Sequence, residues 1–467
     1  MTKVLLIEPP KAVWDLMGDC VAPPLGLAQV AALLEREPGI TVNIVDCNGS
    51  RLSWSQLERA IVEAQPDVVG ATALTPYFPQ AVRAMRLAKG VNPAVVTVLG
   101  GPHVTFCARE TLTQHPEVDF IVRGEGDYTL VNLVRCLEES GAPASVQGIA
   151  FRLGGQVVQA PPPPPVDVKA LPFPAYHLLP MHAYRFEMMV DFTTLLASRG
   201  CSYRCTFCSE WPFWGDGWRP CDPEAVVEEM ELLHRRYGRR SFWFGDDCFN
   251  VDGEHMRVIC EGILERGLVV AWFYQGRADL VIQHKDLLPL MRRAGNLMVQ
   301  IGIESSTDEE LQDFRKRLTT TQVKEAIDLL KRNDIVSQGL IIVGTPKETS
   351  RSIEHKLRFA KWLDIDFPIF TAFTPFPGTA FYERARAEGL LEDPPDWAKY
   401  DMAHFLILPE RMSRKELLSW YHWCYWSYYL DPIKLARGLF ARGHWKRHIW
   451  RHMTGFNFKK TIEAWLG

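Results

Sequence analysis

The sequence has no long apolar run. Nothing in it approaches the roughly 18 consecutive apolar residues of a membrane-spanning helix, so no span is expected. The opening run Val4-Leu5-Leu6-Ile7 stops at Glu8-Pro9-Pro10 and is too short for the apolar core of a signal peptide. Charge of one sign is also lacking. Against 56 acidic residues stand 52 basic ones, and the net charge of −4 gives no overall pull toward nucleic acid. There is no disulfide framework: the 11 cysteines are odd in number and scattered from Cys20 to Cys424, which fits a reducing, cytoplasmic setting. What is present is an ordinary globular composition, 47% hydrophobic and 23% charged, over 467 residues. That length predicts two or three domains rather than one core.

One stretch concentrates the chemistry. Cys201, Cys205 and Cys208 stand at C-x3-C-x2-C in a single short loop. Thiolates gathered so closely need something positive to hold them. A four-iron cluster takes four thiolates as a rule, so three leave one iron open to another ligand. A zinc site with Cys221 or a distant histidine as fourth ligand, or three structural cysteines, are the plainer readings. Zinc knuckles, however, come as paired C-x2-C halves, and no second C-x2-C occurs. With the aromatic Phe207 ahead of the last cysteine, the spacing resembles the signature of the radical S-adenosylmethionine (SAM) enzymes. The resemblance implies a [4Fe-4S] cluster on these three cysteines, with SAM chelating the open iron.

Residues 1–142 alternate strand and helix patterns. Strands are expected at 3–8, 41–47, 67–73, 95–99 and 120–123, and helices at 26–36, 55–64, 79–89 and 128–139. Repeats of this length predict a parallel sheet with helices on both faces, an α/β fold of Rossmann or flavodoxin type, with its ligand beyond the carboxyl ends of the strands. Glycine clusters fall at those ends: Gly100-Gly101 and Gly124-Glu125-Gly126. Either pair alone fits a tight βα turn as well as a ligand site. Together with Pro23-Pro24-Leu25-Gly26 and the turn ending in His103, the pattern resembles the cobalamin-binding domain that precedes many radical SAM enzymes. The resemblance implies cobalamin contacts at Pro24, Gly26, Leu74, Thr75, Tyr77, Gly100, Gly101, His103, Gly124, Glu125 and Gly126. Domains that bind cobalamin through a histidine carry D-x-H-x-x-G after the first strand. That form is missing here, so the resemblance implies cobalamin without a histidine lower ligand, with Leu74, Thr75 and Tyr77 near its lower face.

Residues 143–190, with five consecutive prolines at 161–165, read as an extended linker. From 191 to 380 a second βα series follows. Strands are expected at 191–197, 241–244, 269–275, 297–303, 337–343 and 367–374, which predicts a partial (β/α)6 barrel of the TIM type with functional groups at the strand ends. Asp246, Asp247, Arg277, Glu304, Ser305 and Gly344 lie at those ends. Carboxylates suit an ammonium and ribose hydroxyls, and an arginine suits a carboxylate, so the resemblance implies SAM contacts there. The usual Gly-Gly-Glu is Gly245-Asp246-Asp247 in this chain, which leaves open which aspartate serves. Arg277 is equally placed to pair with Asp279.

Residues 381–467 form a helical C-terminal region, aromatic from Trp420 to Tyr429. From Asp431 onward it holds Lys434, Arg437, Arg442, Lys446, Arg447, Arg451, Lys459 and Lys460 against Asp431 and Glu463. The aromatics fit a core cap; they also fit a large apolar substrate or peripheral contact with an anionic membrane. Nucleic acid is not expected, since no binding motif accompanies the charge.

The resemblance implies an enzyme that cleaves SAM reductively to a 5′-deoxyadenosyl radical, fed by an external donor of flavodoxin or ferredoxin type. It implies C-methylation of an unactivated carbon in a small-molecule substrate, which can be hydrophobic, with cobalamin as methyl carrier. Oxidative cyclisation or another rearrangement is the alternative. A non-catalytic cobalamin or metal sensor with zinc at the cysteines is the alternative from another class. The sequence assigns no catalytic residue.

Overall fold

In the computed structural model the described residues are 1–11, 20–186, 189–215, 217–440 and, beyond these, 447–448, 450–452 and 455. Two sheets dominate, one mixed and one wholly parallel. The first comprises β1 (Thr2–Glu8), β2 (Ile40–Asp46), β3 (Val68–Thr72), β4 (Val96–Gly100), β5 (Phe120–Val122), β6 (Ile149–Leu153) and β7 (Gln156–Gln159), in the order β2-β1-β3-β4-β5-β6-β7. The five strands β1 to β5 pair in parallel. The run Val4, Leu5, Leu6 and Ile7 is buried throughout, as expected of a strand covered by helices on both faces. Separate apolar clusters fill those faces, one around Leu5, Val69 and Leu99, the other around Leu6, Leu27 and Val134.

The linker expected at 143–190 is less uniform than its prolines suggest. β6 and β7 form an antiparallel hairpin that extends the first sheet past β5. Its turn is Gly154-Gly155, with φ of 57° and 78°, a two-residue loop that needs left-handed backbone at both positions. The proline run then returns along the domain: Gly148 N–H donates to the Pro161 carbonyl at 2.7 Å, and Ala175 N–H to the Ala28 carbonyl at 2.9 Å.

The second sheet holds β8 (Phe192–Leu195), β9 (Ser241–Phe244), β10 (Ala271–Gly276), β11 (Asn296–Glu304), β12 (Val336–Val343) and β13 (Phe367–Ala372) in simple chain order. Every pairing is parallel, and helices such as Pro223–Tyr237 and Thr320–Arg332 connect the strands. This is the expected partial barrel. Helix Pro223–Tyr237 starts where Asp222 accepts from the N–H groups of Glu224 and Ala225, and stops at Gly238, whose φ is 68°.

The aromatic helix Arg414–Tyr429 packs as a cap. Tyr425 Oη donates to the Phe370 carbonyl at 2.8 Å and accepts from Phe370 N–H at 3.1 Å, while Tyr429 donates to the Pro368 carbonyl at 2.8 Å. The tyrosines therefore satisfy backbone groups along the outer strand β13, which would otherwise stay open. Residues 442, 446, 459 and 460 of the basic tail lie outside the described residues, as does the side chain of Arg437. Lys434 is turned inward, its Nζ 2.9 Å from Asp364.

Candidate functional site: a cavity between two sheets

The carboxyl ends of both sheets open onto one cavity of about 790 Å³. Cys201, Cys205 and Cys208 line it from the second sheet, and Gly26, Leu74, Gly100, Gly101, Gly124, Glu125 and Gly126 line it from the first. Asp246, Asp247, Arg277 and Glu304 belong to the same wall.

The cysteine loop is held by the aspartates after β9. Asp246 is buried and accepts from Ala197 N–H at 3.0 Å and from the Ser198 hydroxyl. Burial pushes its carboxyl up to about 7, with those hydrogen bonds pulling it back. Both of its oxygens serve the loop. Asp247 accepts from Gly200 N–H at 3.2 Å. Gly200 has a φ of 80°, and a Cβ there would meet the Gly217 carbonyl oxygen at 2.5 Å, so this turn excludes any side chain. Asp247 also hydrogen-bonds the Glu210 carboxyl; burial and mutual repulsion hold Asp247 well above the ordinary carboxylate range.

Two cations face the sulfurs. Arg277 pairs with Asp279 at 3.0 Å and lies 3.5 Å over the Tyr203 ring. Lys316 Nζ is 2.7 Å from Glu304 Oε1. A fourth thiol, Cys248, hydrogen-bonds Cys201; this contact first, then the Tyr203 N–H and the charges of Arg277 and Lys316, draws the Cys201 thiol down to about 6 against its burial. Burial raises Cys205, with both cations opposing it. These donors fit a cluster: three thiols on one wall, with positive charge beside them to offset thiolates. Among the described residues no three histidine, cysteine or acidic side chains converge on a single-ion site. A four-iron cluster is wider than one ion, and its thiolates need not meet at a point.

On the opposite wall a Cβ added at Gly26 or Gly124 would meet nothing within 4 Å, so the glycines leave open space for a bulky ligand. Among the described lining residues there is no histidine. His103 lies outside the wall, 4.1 Å from the Phe78 ring and 4.6 Å from that of Trp397, and burial depresses it to about 3. Thr75, Tyr77 and Pro24 also lie outside. So do Ser305, which donates to Glu310 at 2.5 Å, and Gly344, whose N–H donates to Glu348 at 3.0 Å. Sequence reasoning missed Lys316, Glu210 and Glu229 as lining residues. Only Glu210, two positions after Cys208, carried a local signal.

A Rossmann-type sheet and a cysteine-bearing partial barrel thus share one cavity. The description B12 binding domain matches residues 19–134, and Radical SAM superfamily matches residues 195–360. An uncharacterized methyltransferase of Pyrococcus horikoshii is 34% identical over 467 residues, covering 99% of this chain and 98% of that protein. The anaerobic magnesium-protoporphyrin IX monomethyl ester cyclase of Rubrivivax gelatinosus is 34% identical over 402 residues, covering 85% and 72%. The solved radical SAM methyltransferase TsrM from Kitasatospora setae, with cobalamin and a [4Fe-4S] cluster bound, superposes with a TM-score of 0.76 at 18% identity over 99% of this chain and 100% of that one; at that identity the likeness speaks for the fold. The chain belongs to the radical SAM superfamily, in the group that carries an N-terminal B12 binding domain.

Proposed function

We propose that this chain is a cobalamin-dependent radical SAM C-methyltransferase acting on a small, largely apolar molecule. The observation that carries the reading is the single cavity with thiols on one wall and glycine-edged strand ends on the other. When bound, the cluster supplies the electron that cleaves SAM, and cobalamin supplies the methyl carrier. The protein supplies the rest. Cys201, Cys205 and Cys208 hold the cluster, while Arg277 and Lys316 offset its thiolates. Asp246 fixes the loop that presents them. Asp247 and Glu210 are two carboxyls sharing one site, and an ammonium placed between them lets both ionise. That supports the SAM ammonium at this pair. Trp214, Trp243 and Phe173 line the cavity and exclude water from a radical's path.

The relative named as a cyclase keeps ring formation as a second reading. Products separate the two. The reconstituted, reduced protein with SAM is expected to release S-adenosylhomocysteine and 5′-deoxyadenosine together, the first only when cobalamin is present. 5′-Deoxyadenosine alone contradicts methylation. The reductant is a one-electron donor of flavodoxin or ferredoxin type. Among the described residues no helix is long and apolar enough to cross a membrane. This reading includes peripheral membrane contact at the end of the cap, supported by the exposure of Ile433 and Phe440, 64% and 84%.

A further inference from the structure

A buried ion cluster joins the two walls of the cavity, and nothing in the chemistry above requires it. Arg199 stands two residues before Cys201, in a short antiparallel pair with Arg219. Its guanidinium donates to both oxygens of Asp127, at 2.7 and 3.0 Å, and to Glu125 at 2.8 Å. Arg219 donates to the other Glu125 oxygen at 2.8 Å and to the Val166 carbonyl at 2.9 Å, and Val166 N–H reaches Glu125 at 3.2 Å. Arg199 and Asp127 are 8% and 4% exposed. Glu125 and Asp127 belong to the glycine turn after β5, the wall assigned to cobalamin. Glu125, expected from sequence to face cobalamin, has both oxygens committed to arginines of the cysteine segment.

We infer that Arg199 is a positioning residue that couples the two cofactor sites, so that filling one tightens binding at the other. The inference rests on the cobalamin and cluster reading above. Its physical basis is short. A cluster fixes Cys201 and, two residues away, Arg199. A fixed Arg199 holds the Gly124–Asp127 turn through a bidentate ion pair, the arrangement in which arginine is most directional. Cobalamin then meets a turn already ordered and loses less freedom on binding. By linkage the effect is reciprocal. Burial of Arg199 and Asp127 spares this ion pair the screening of a surface pair and makes its loss costly.

The test is equilibrium binding of hydroxocobalamin to the full-length protein, with and without its reconstituted cluster, followed by the cobalamin absorption spectrum. The cluster is expected to tighten cobalamin binding by about 5-fold or more in the wild type, the lower end of ordinary coupling. Arg199→Met and Asp127→Asn are expected to bring that ratio to about 1 while each still binds cobalamin. Arg199→Lys, which keeps the charge but not the fork, should fall between. Should Arg199→Met fail to fold, Asp127→Asn and Arg219→Gln carry the test. A wild-type ratio of 1, or a ratio unchanged in the variants, overturns the coupling and leaves the proposed function standing. A wild-type protein that takes up no cobalamin at all overturns both.

Discussion

Glu229→Gln is the perturbation whose size can be worked out most fully. Glu229 lies on helix Pro223–Tyr237, 8% exposed, at the cavity wall. Tyr176 Oη donates to its Oε1 at 2.5 Å. Burial pushes the carboxyl from its ordinary 4.5 up to about 7, the Tyr176 hydrogen bond offsetting only part of that. Between those two values the folded protein holds a proton that the unfolded chain has released. Stability therefore falls as pH rises through this window and levels off above about 7. About 2.5 pH units correspond to about 3 kcal/mol. Glutamine keeps an acceptor for Tyr176 and carries no charge. The variant should match wild type near pH 4.5 and gain on it steadily, by up to about 3 kcal/mol, at pH 8. Thermal melts from pH 5 to 8 are the assay. Parallel pH profiles for the two proteins would refute the assignment of a buried, neutral carboxyl to this site.

Three further outcomes are expected. Cys205→Ala should lose the cluster's visible absorption and all SAM cleavage while still binding cobalamin, because the glycine wall is untouched; reconstitution followed by spectroscopy reads both. Electron paramagnetic resonance of the Co(II) form should show no superhyperfine coupling from a histidine nitrogen, since no described lining residue is a histidine and His103 is sealed between Phe78 and Trp397. Tyr425→Phe removes the hydroxyl that both donates to and accepts from Phe370, and should cost roughly 1–3 kcal/mol, seen as a lower melting midpoint with SAM cleavage retained.

Much of this arrangement was legible along the chain because βα folds place function at strand ends, and strand ends are local. An apolar run that breaks into glycine or an acid marks the spot, as at Gly100, Gly124 and Asp246. The hairpin at 149–159 falls inside the expected linker, its Gly154-Gly155 turn masked by the prolines that follow. The partners were not legible either. Arg199 and Asp127 lie 72 positions apart, and no periodicity links them. Lys316 sits in a loop, and only the fold brings it to Glu304. The aspartates show the limit in finer grain. Gly245-Asp246-Asp247 marked a site, yet its position alone could not show that both oxygens of Asp246 are taken by Ala197 and Ser198, while Asp247 holds Gly200 N–H and also meets Glu210. His103, which the resemblance puts among the cobalamin contacts though not as the lower ligand, has its ring packed against Phe78 and Trp397.

The central claim is that both cofactors meet in one cavity, with the substrate between them. An anaerobic crystal structure of the reconstituted protein with cobalamin and SAM tests it directly. The account predicts the corrin against Gly100, Gly101 and Gly124, the cluster on Cys201, Cys205 and Cys208, and the SAM ammonium between Asp247 and Glu210, all facing one shared space. Cobalamin bound outside that cavity, or SAM held without contact to either carboxyl, would contradict it.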